Sequence, residues 1–204
     1  KRPSLFEKIL TILFGYIFIP LILSIPFYFS IYNLTFLNSF FESVSGFTST
    51  GFSIIDNIKQ IDQSLILWRS TTQWIGGLYF LFSIIFLIDI YDESLKRSLT
   101  NFISLNNSEI IKQSVKVFIL YFLITFFIFI ILELVGLRTF NSVNLALTLI
   151  SSGGFLPFND ISVILNTDFK KIVFSILMLI SFFSIFFIYN LILFRNRDKN
   201  FFYE

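Results

Sequence analysis

Four apolar runs, at residues 5–29, 65–90, 109–135 and 168–194, limit what this chain can fold into. Each exceeds the roughly 20 residues that a helix needs to cross the hydrocarbon of a bilayer. In lipid only helices and closed barrels satisfy their own backbone, and these runs have helical rather than strand length. Of the 204 residues 55% are hydrophobic and only 14% charged, against roughly a quarter charged in a soluble domain. The expected class is therefore an all-α integral membrane protein. Pro20 and Pro26 predict a bend in the second half of the first run, because each removes a helical hydrogen bond.

Several functions are excluded at this level. The chain has no Cys and no His, so it lacks thiolate metal sites and the commonest general base. No nucleophile–base pair or phosphate-cradling loop occurs at a usable spacing, so no enzyme and no bound cofactor is expected. A net charge of +2 gives no footprint for nucleic acid. The lipid bilayer is the expected environment.

The segments between the runs carry the functional signal. Thr35 is placed to cap a short helix over 36–47, and 139–150 reads as a second one. Twelve residues give about 18 Å, half a bilayer rather than a crossing. Each ends in a small, hydroxyl-rich tip: Thr48-Ser49-Thr50-Gly51-Phe52 in the segment 36–53, and Ile150-Ser151-Ser152-Gly153-Gly154 in the segment 139–155. Laid over each other, residues 1–105 and 106–204 both read span, short helix, tip, span, with Gly51 and Gly153 102 residues apart. Both units run the same way through the membrane. A parallel repeat of span, re-entrant pore helix with filter loop, and span is the potassium-channel-like unit. Irregular backbone at membrane depth survives only where protein or a water-filled cavity surrounds it. A potassium filter replaces the ion's hydration shell with backbone carbonyls, which requires small side chains such as these. Ser/Thr/Gly clusters also occur in ordinary extracellular loops, but two at matching positions in matching units favour the filter.

Four spans put both termini on one side. That side carries most of the Lys and Arg, the other only Lys59, Arg69, Arg138, Lys170 and Lys171. Positive residues stay inside, so the termini are expected in the cytoplasm and the short helices to enter from outside.

The stretch Phe41-Glu42-Ser43-Val44-Ser45-Gly46-Phe47-Thr48-Ser49-Thr50-Gly51 resembles the first pore segment of the Trk/Ktr/HKT potassium transporters, close to the TrkH branch. Leu67-Trp68-Arg69-Ser70-Thr71-Thr72-Gln73-Trp74-Ile75-Gly76-Gly77 resembles the signature of the following helix. Ser151-Ser152-Gly153-Gly154-Phe155 is similar to the second pore segment, and Arg195 to Glu204 to the linker into a third repeat. The resemblance implies a pore-forming subunit for potassium uptake in a bacterial-type inner membrane, with four repeats around one pore. This chain would hold repeats one and two of a longer protein. It also implies a homodimer and a cytosolic nucleotide-binding regulator. Gly at the position of Gly51 goes with potassium in that family, and Ser with sodium. Ile150 departs from the pattern, which leaves backbone and hydroxyl groups beyond it to face the ion. Potassium itself would be held only by the filter residues.

Three further residues are read as supports. Glu42 lies within the first short helix, either attracting cations or bonding behind the filter. Arg69 and Gln73, at (i, i+4) spacing, read as anchors or braces more than as ion ligands. Trp68 and Trp74 read as interfacial, and Glu133 as an acid near a span end. Two other readings stay open: a four-span carrier or scaffold without a pore, and a two-repeat channel that dimerises to complete its filter.

Overall fold

The computed structural model describes residues 5–30, 32–88 and 107–197. These residues form helices and connecting segments, with no strand among them. Helix α1 is Leu5–Leu23 and α2 is Ile25–Tyr28. The short helix α3 is Phe36–Phe47, followed by the long α4, Gln63–Ile88. Helix α5 is Asn107–Leu134, α6 is the second short helix, Thr139–Ile150, and α7 is Asp168–Arg197. The expected repeat boundary at 105–106, the acids Asp89, Asp92 and Glu93, and residues 198–204 lie outside the described residues.

Phe6–Tyr28 and Ser114–Leu134 are long and apolar enough to cross a membrane. Helix α4, at 26 residues, has the length as well, and its first half carries Arg69, Ser70, Thr72 and Gln73. Those four side chains are buried, so the polarity of α4 faces inward. Helix α3 has the same inverted pattern. Its Ser39, Glu42 and Ser43 are fully buried, while Phe36 is 55% and Leu37 72% exposed. A helix in water hides its apolar stripe. One that hides Glu42 and shows Leu37 is built for apolar surroundings. The chain is an integral membrane protein.

The bend falls where the prolines place it. Helix α1 contains Pro20 and stops at Leu23, and Pro26 opens the one-turn α2 beyond Ser24. The Pro20 carbonyl accepts from Ser24 N at 2.9 Å and from Ser43 Oγ at 2.8 Å, which moors α3 to the bend. Helix α4 runs centrally, packed against α1, α3, α5 and α6. The main apolar core joins α4, α5, α6 and α7 around Tyr121, Ile128, Leu132, Leu145 and Leu177. A smaller one gathers Phe27, Ile58, Ile61, Leu65 and Ile66.

Both tryptophans find partners inside the chain. Trp68 Nε1 donates to the Leu23 carbonyl at 3.0 Å, closing the end of α1, and Trp74 Nε1 donates to Thr125 Oγ1 at 3.0 Å. Their indole N–H groups thus serve helix packing, a use the interfacial reading did not foresee.

Thr35 caps α3 through its hydroxyl, which accepts from Asn38 N at 3.3 Å. Thr35→Ala is expected to cost about 1 kcal/mol of stability, read as a lower thermal midpoint in detergent; an unchanged midpoint would contradict the capping role.

Candidate functional site

The two tips share one backbone geometry. Helix α3 ends at Phe47 with Thr48 as its cap, and Ser49 then turns left-handed at φ 55°. Helix α6 ends at Ile150 with Ser151 as its cap, and Ser152 turns left-handed at φ 54°. Thr50 N reaches back to Ser45 O at 3.0 Å, and Gly153 N to Thr148 O at 2.9 Å. These are helix-ending bonds that satisfy carbonyls left over by the last turn. A left-handed serine costs roughly 1 kcal/mol or more.

This geometry corrects the register expected from the sequence. Helix starts, helix ends, left-handed serines and the later 3₁₀ turns Ile58–Gln60 and Ile161–Val163 all recur at an offset of 103 residues. Left-handed Asn33 and Gly136 obey it as well. The partner of Gly51 is therefore Gly154, not Gly153. Adjacent glycines made both alignments possible in the sequence, and backbone conformation chooses between them.

Gly51 and Gly154 also meet in space. Gly51 has φ 79°, and a Cβ built on it would lie 2.9 Å from the Gly154 Cα and nitrogen. The tips touch backbone to backbone, and it is Gly51 that must be glycine: its φ is positive and its Cβ would clash, whereas a Cβ on Gly154 would meet Gly51 only at 3.6 Å. Thr48 and Thr50 are exposed and share a hydroxyl hydrogen bond at 2.7 Å. Phe52 is exposed, and its carbonyl accepts from Ser45 Oγ at 2.5 Å. Ser152 and Gly154 are exposed, Gly153 is half-buried, and Ser151 is buried with its hydroxyl donating to Thr148 O at 3.0 Å.

Beneath the tips lies a cavity of about 400 Å³. Phe47, Thr48, Ser49, Ile150, Ser151 and Ser152 line it, with Tyr16, Tyr121, Gly76 and Gly77. The C-terminal ends of both short helices open into it, so two partial negative charges face the same space. Helix α4 reaches the tips because it carries two glycines there. A Cβ on Gly76 would strike the Phe47 carbonyl, and one on Gly77 the Tyr121 hydroxyl and Ser151.

Glu42, Arg69 and Gln73 stand behind the tips rather than in the cavity. Glu42 is fully buried and pairs with Arg69, Nε to Oε1, at 2.8 Å. Ser53 Oγ lies 2.9 and 3.2 Å from the two Glu42 oxygens and accepts from Arg69 Nη2 at 3.0 Å. Ile54 N donates to Glu42 Oε2 at 3.2 Å. The Arg69 guanidinium then crosses to the other tip, stacking 4.2 Å over the ring centre of Phe155. Gln73 Oε1 accepts from Phe155 N at 3.3 Å, and its amide lies where a Gly153 Cβ would be. One turn of α4 therefore holds both tips. Ser70 adds a bond to Asn144 Oδ1 of α6 at 2.7 Å. Glu133 is half-buried, and one of its oxygens makes no hydrogen bond among the described residues.

Sequence reasoning missed Ser53, Phe155 and Asn144 as members of this network. Their partners lie 11 to 86 residues away in the chain, beyond any local spacing. Outside the cavity, Asn159 straps the two outer segments, accepting from Ile58 N at 2.8 Å and donating to Asp56 O at 3.3 Å. Nearby, two hydrogen bonds from Ser162, hydroxyl and amide, hold the Asp160 carboxyl below its ordinary pKa.

No family model matches the chain. Curated relatives do. An uncharacterized cation transporter of Methanocaldococcus jannaschii is 30% identical across 67% of this chain and 31% of its own length. The Trk system potassium uptake protein TrkG of Escherichia coli is 44% identical across 22% of this chain and 10% of its own. TrkI of Halomonas elongata is 40% identical across 29% and 11%. The matched part of the chain thus spans about a third of the first relative's length and about a tenth of the Trk proteins'. Fold and site define a helical membrane protein with a polar interior organised around two short helices. Within that class, the chain is a relative of the Trk potassium uptake proteins.

Proposed function

We propose that this chain contributes half of a potassium-conducting pore. In this reading α3 and α6 are re-entrant pore helices. The tips Thr48 to Phe52 and Ile150 to Gly154 are two of four filter strands, and their backbone carbonyls take the place of the ion's water. The observation that carries it is the pair of matching tips, touching at Gly51 and Gly154, above one cavity that receives the C-terminal ends of both short helices. Relatives named as potassium uptake proteins support the same ion.

Several parts of this reading follow from the resemblance. Residues 1–105 and 106–204 are the first two of four repeats, with four spans and cytoplasmic termini in a bacterial-type inner membrane. Repeats three and four complete the ring, the subunit pairs as a homodimer, and a cytosolic nucleotide-binding subunit regulates it. The exposed Thr48, Thr50, Phe52 and Gly154 are the surfaces that face the missing quarters. Glu42, Arg69 and Gln73 act as braces that hold the carbonyls at ion-binding distance.

Gly51→Ser in the full-length protein tests the reading. The new side chain meets Gly154 backbone at a φ that L residues rarely adopt. Potassium uptake in a strain without other uptake systems is expected to fall at least about tenfold, since a misplacement on the order of 1 Å at a site built on geometry has effects of that size or larger. Growth on limiting potassium equal to that of the parent protein would sink the proposal.

A further inference from the structure

The N-terminal end of α6 differs from that of α3 in a way the pore does not need. A cavity of about 330 Å³ opens there, lined by Leu137, Arg138, Asn141, Phe158, Ile164 and Lys170 among others. The charged residues of that lining, Arg138 and Lys170, are both cationic. Neither forms an ion pair among the described residues, whereas the adjacent Lys171 is engaged by Asp168 at 3.0 Å. At the matching position of the first unit, Thr35 caps its helix; here Arg138 stands at the cap and provides no side-chain bond. The amides of Thr139 and Phe140, at the first two positions, have no partner within the helix.

An independent feature points into the same space. Asn141 is only 8% exposed, yet its side-chain amide makes no hydrogen bond among the described residues. Its amide atoms are not sealed off from solvent, so the polar end of an otherwise buried side chain is left open to a partner in the cavity it lines. Two unpaired cations, the positive end of a helix dipole, uncapped amides and a buried amide side chain converge on one concavity. That donor set, with no acid in the lining, suits a tetrahedral oxyanion.

We propose that the N-terminal end of α6, with Arg138, Asn141 and Lys170, binds a phosphate group. The phosphate belongs either to a phospholipid headgroup or to free inorganic phosphate, and apolar Leu137, Phe158 and Ile164 wall the site on its inner side. The proposal stands independently of potassium conduction.

The test uses the full-length protein in neutral detergent, with the thermal midpoint followed during titration with short-chain phosphatidylglycerol and, separately, inorganic phosphate. A saturable rise is expected with at least one of them. A response to phosphatidylglycerol alone assigns a lipid headgroup, and a response to both assigns the phosphate group itself. The Arg138→Gln/Lys170→Gln variant is expected to need about tenfold more ligand or worse, in line with loss of charge-assisted bonds. Arg138→Lys/Lys170→Arg is expected to stay close to the parent. Asn141→Leu serves if the double variant does not fold: it weakens binding without lowering the ligand-free midpoint. No saturable rise in the parent, or equal half-saturation in parent and charge-removed or Asn141→Leu variants, overturns the proposal.

Discussion

Arg69→Ala is expected to destabilise the folded protein by about 3–5 kcal/mol, the range for stripping one partner from a buried ion pair. The Glu42 carboxylate it leaves behind is fully buried, with only Ser53 Oγ and Ile54 N to answer it. The same substitution removes the guanidinium from the face of Phe155, worth up to about 2 kcal/mol when desolvated and partly included in that range. Both tips lose a support at once, so potassium uptake should fall together with stability. The double variant Glu42→Gln/Arg69→Met separates charge from packing. It keeps the volume, buries no net charge, and should recover a substantial part of the loss. Unfolding in detergent for Glu42→Gln, Arg69→Met and the double gives the coupling between the residues. A coupling energy near zero would mean that the pair, though 2.8 Å apart, does not support the site.

Gly76→Val has the second large effect. The atom in the way is the backbone oxygen of Phe47, which cannot rotate aside like the tip of a side chain. Either α4 or the end of α3 must move, and overpacking of this kind costs typically about 1–3 kcal/mol. The displaced residue is the last of α3, so the shift passes directly into Thr48 and Ser49. Uptake should therefore be lost at a level of stability that other variants tolerate. Gly136→Ala is the comparison. Nothing lies within 4 Å of its Cβ, and it costs only the strain of φ 81°. If Gly76→Val and Gly136→Ala reduce uptake equally, close packing under the tip is not what α4 provides.

Most of the helices were legible before the fold was known, and the reasons differ by element. Long apolar runs announce themselves by length, and Thr35 with the small residues after Phe47 delimits α3 by capping and turn chemistry. What the sequence could not settle was anything decided by rotation or distance. Whether Gly51 answers to Gly153 or Gly154 depends on which serine turns left-handed, and a run of Ser-Ser-Gly-Gly leaves that open. Glu42 admits two readings from the sequence alone because its partner is a full helix away. Its burial against Arg69 comes from the way α3 leans on α4. For the tryptophans the sequence suggests an interfacial position, and the hydrogen bonds that Trp68 and Trp74 make within the chain come from helix packing that no local spacing foretells.

The inverted face of α3 has a consequence in time. Glu42 leaves the ribosome 27 residues before Arg69, an interval of about 1–5 s at ordinary rates of synthesis. During it, a 12-residue helix too short to cross the membrane carries a carboxylate with no counter-charge. If α3 is re-entrant as proposed, its insertion alone would be costly in lipid, and the helix would wait at the surface until α4 arrives. In the proposed re-entrant arrangement the ion pair would then act as an assembly checkpoint, the tip entering only once the helix that carries its cation is in place.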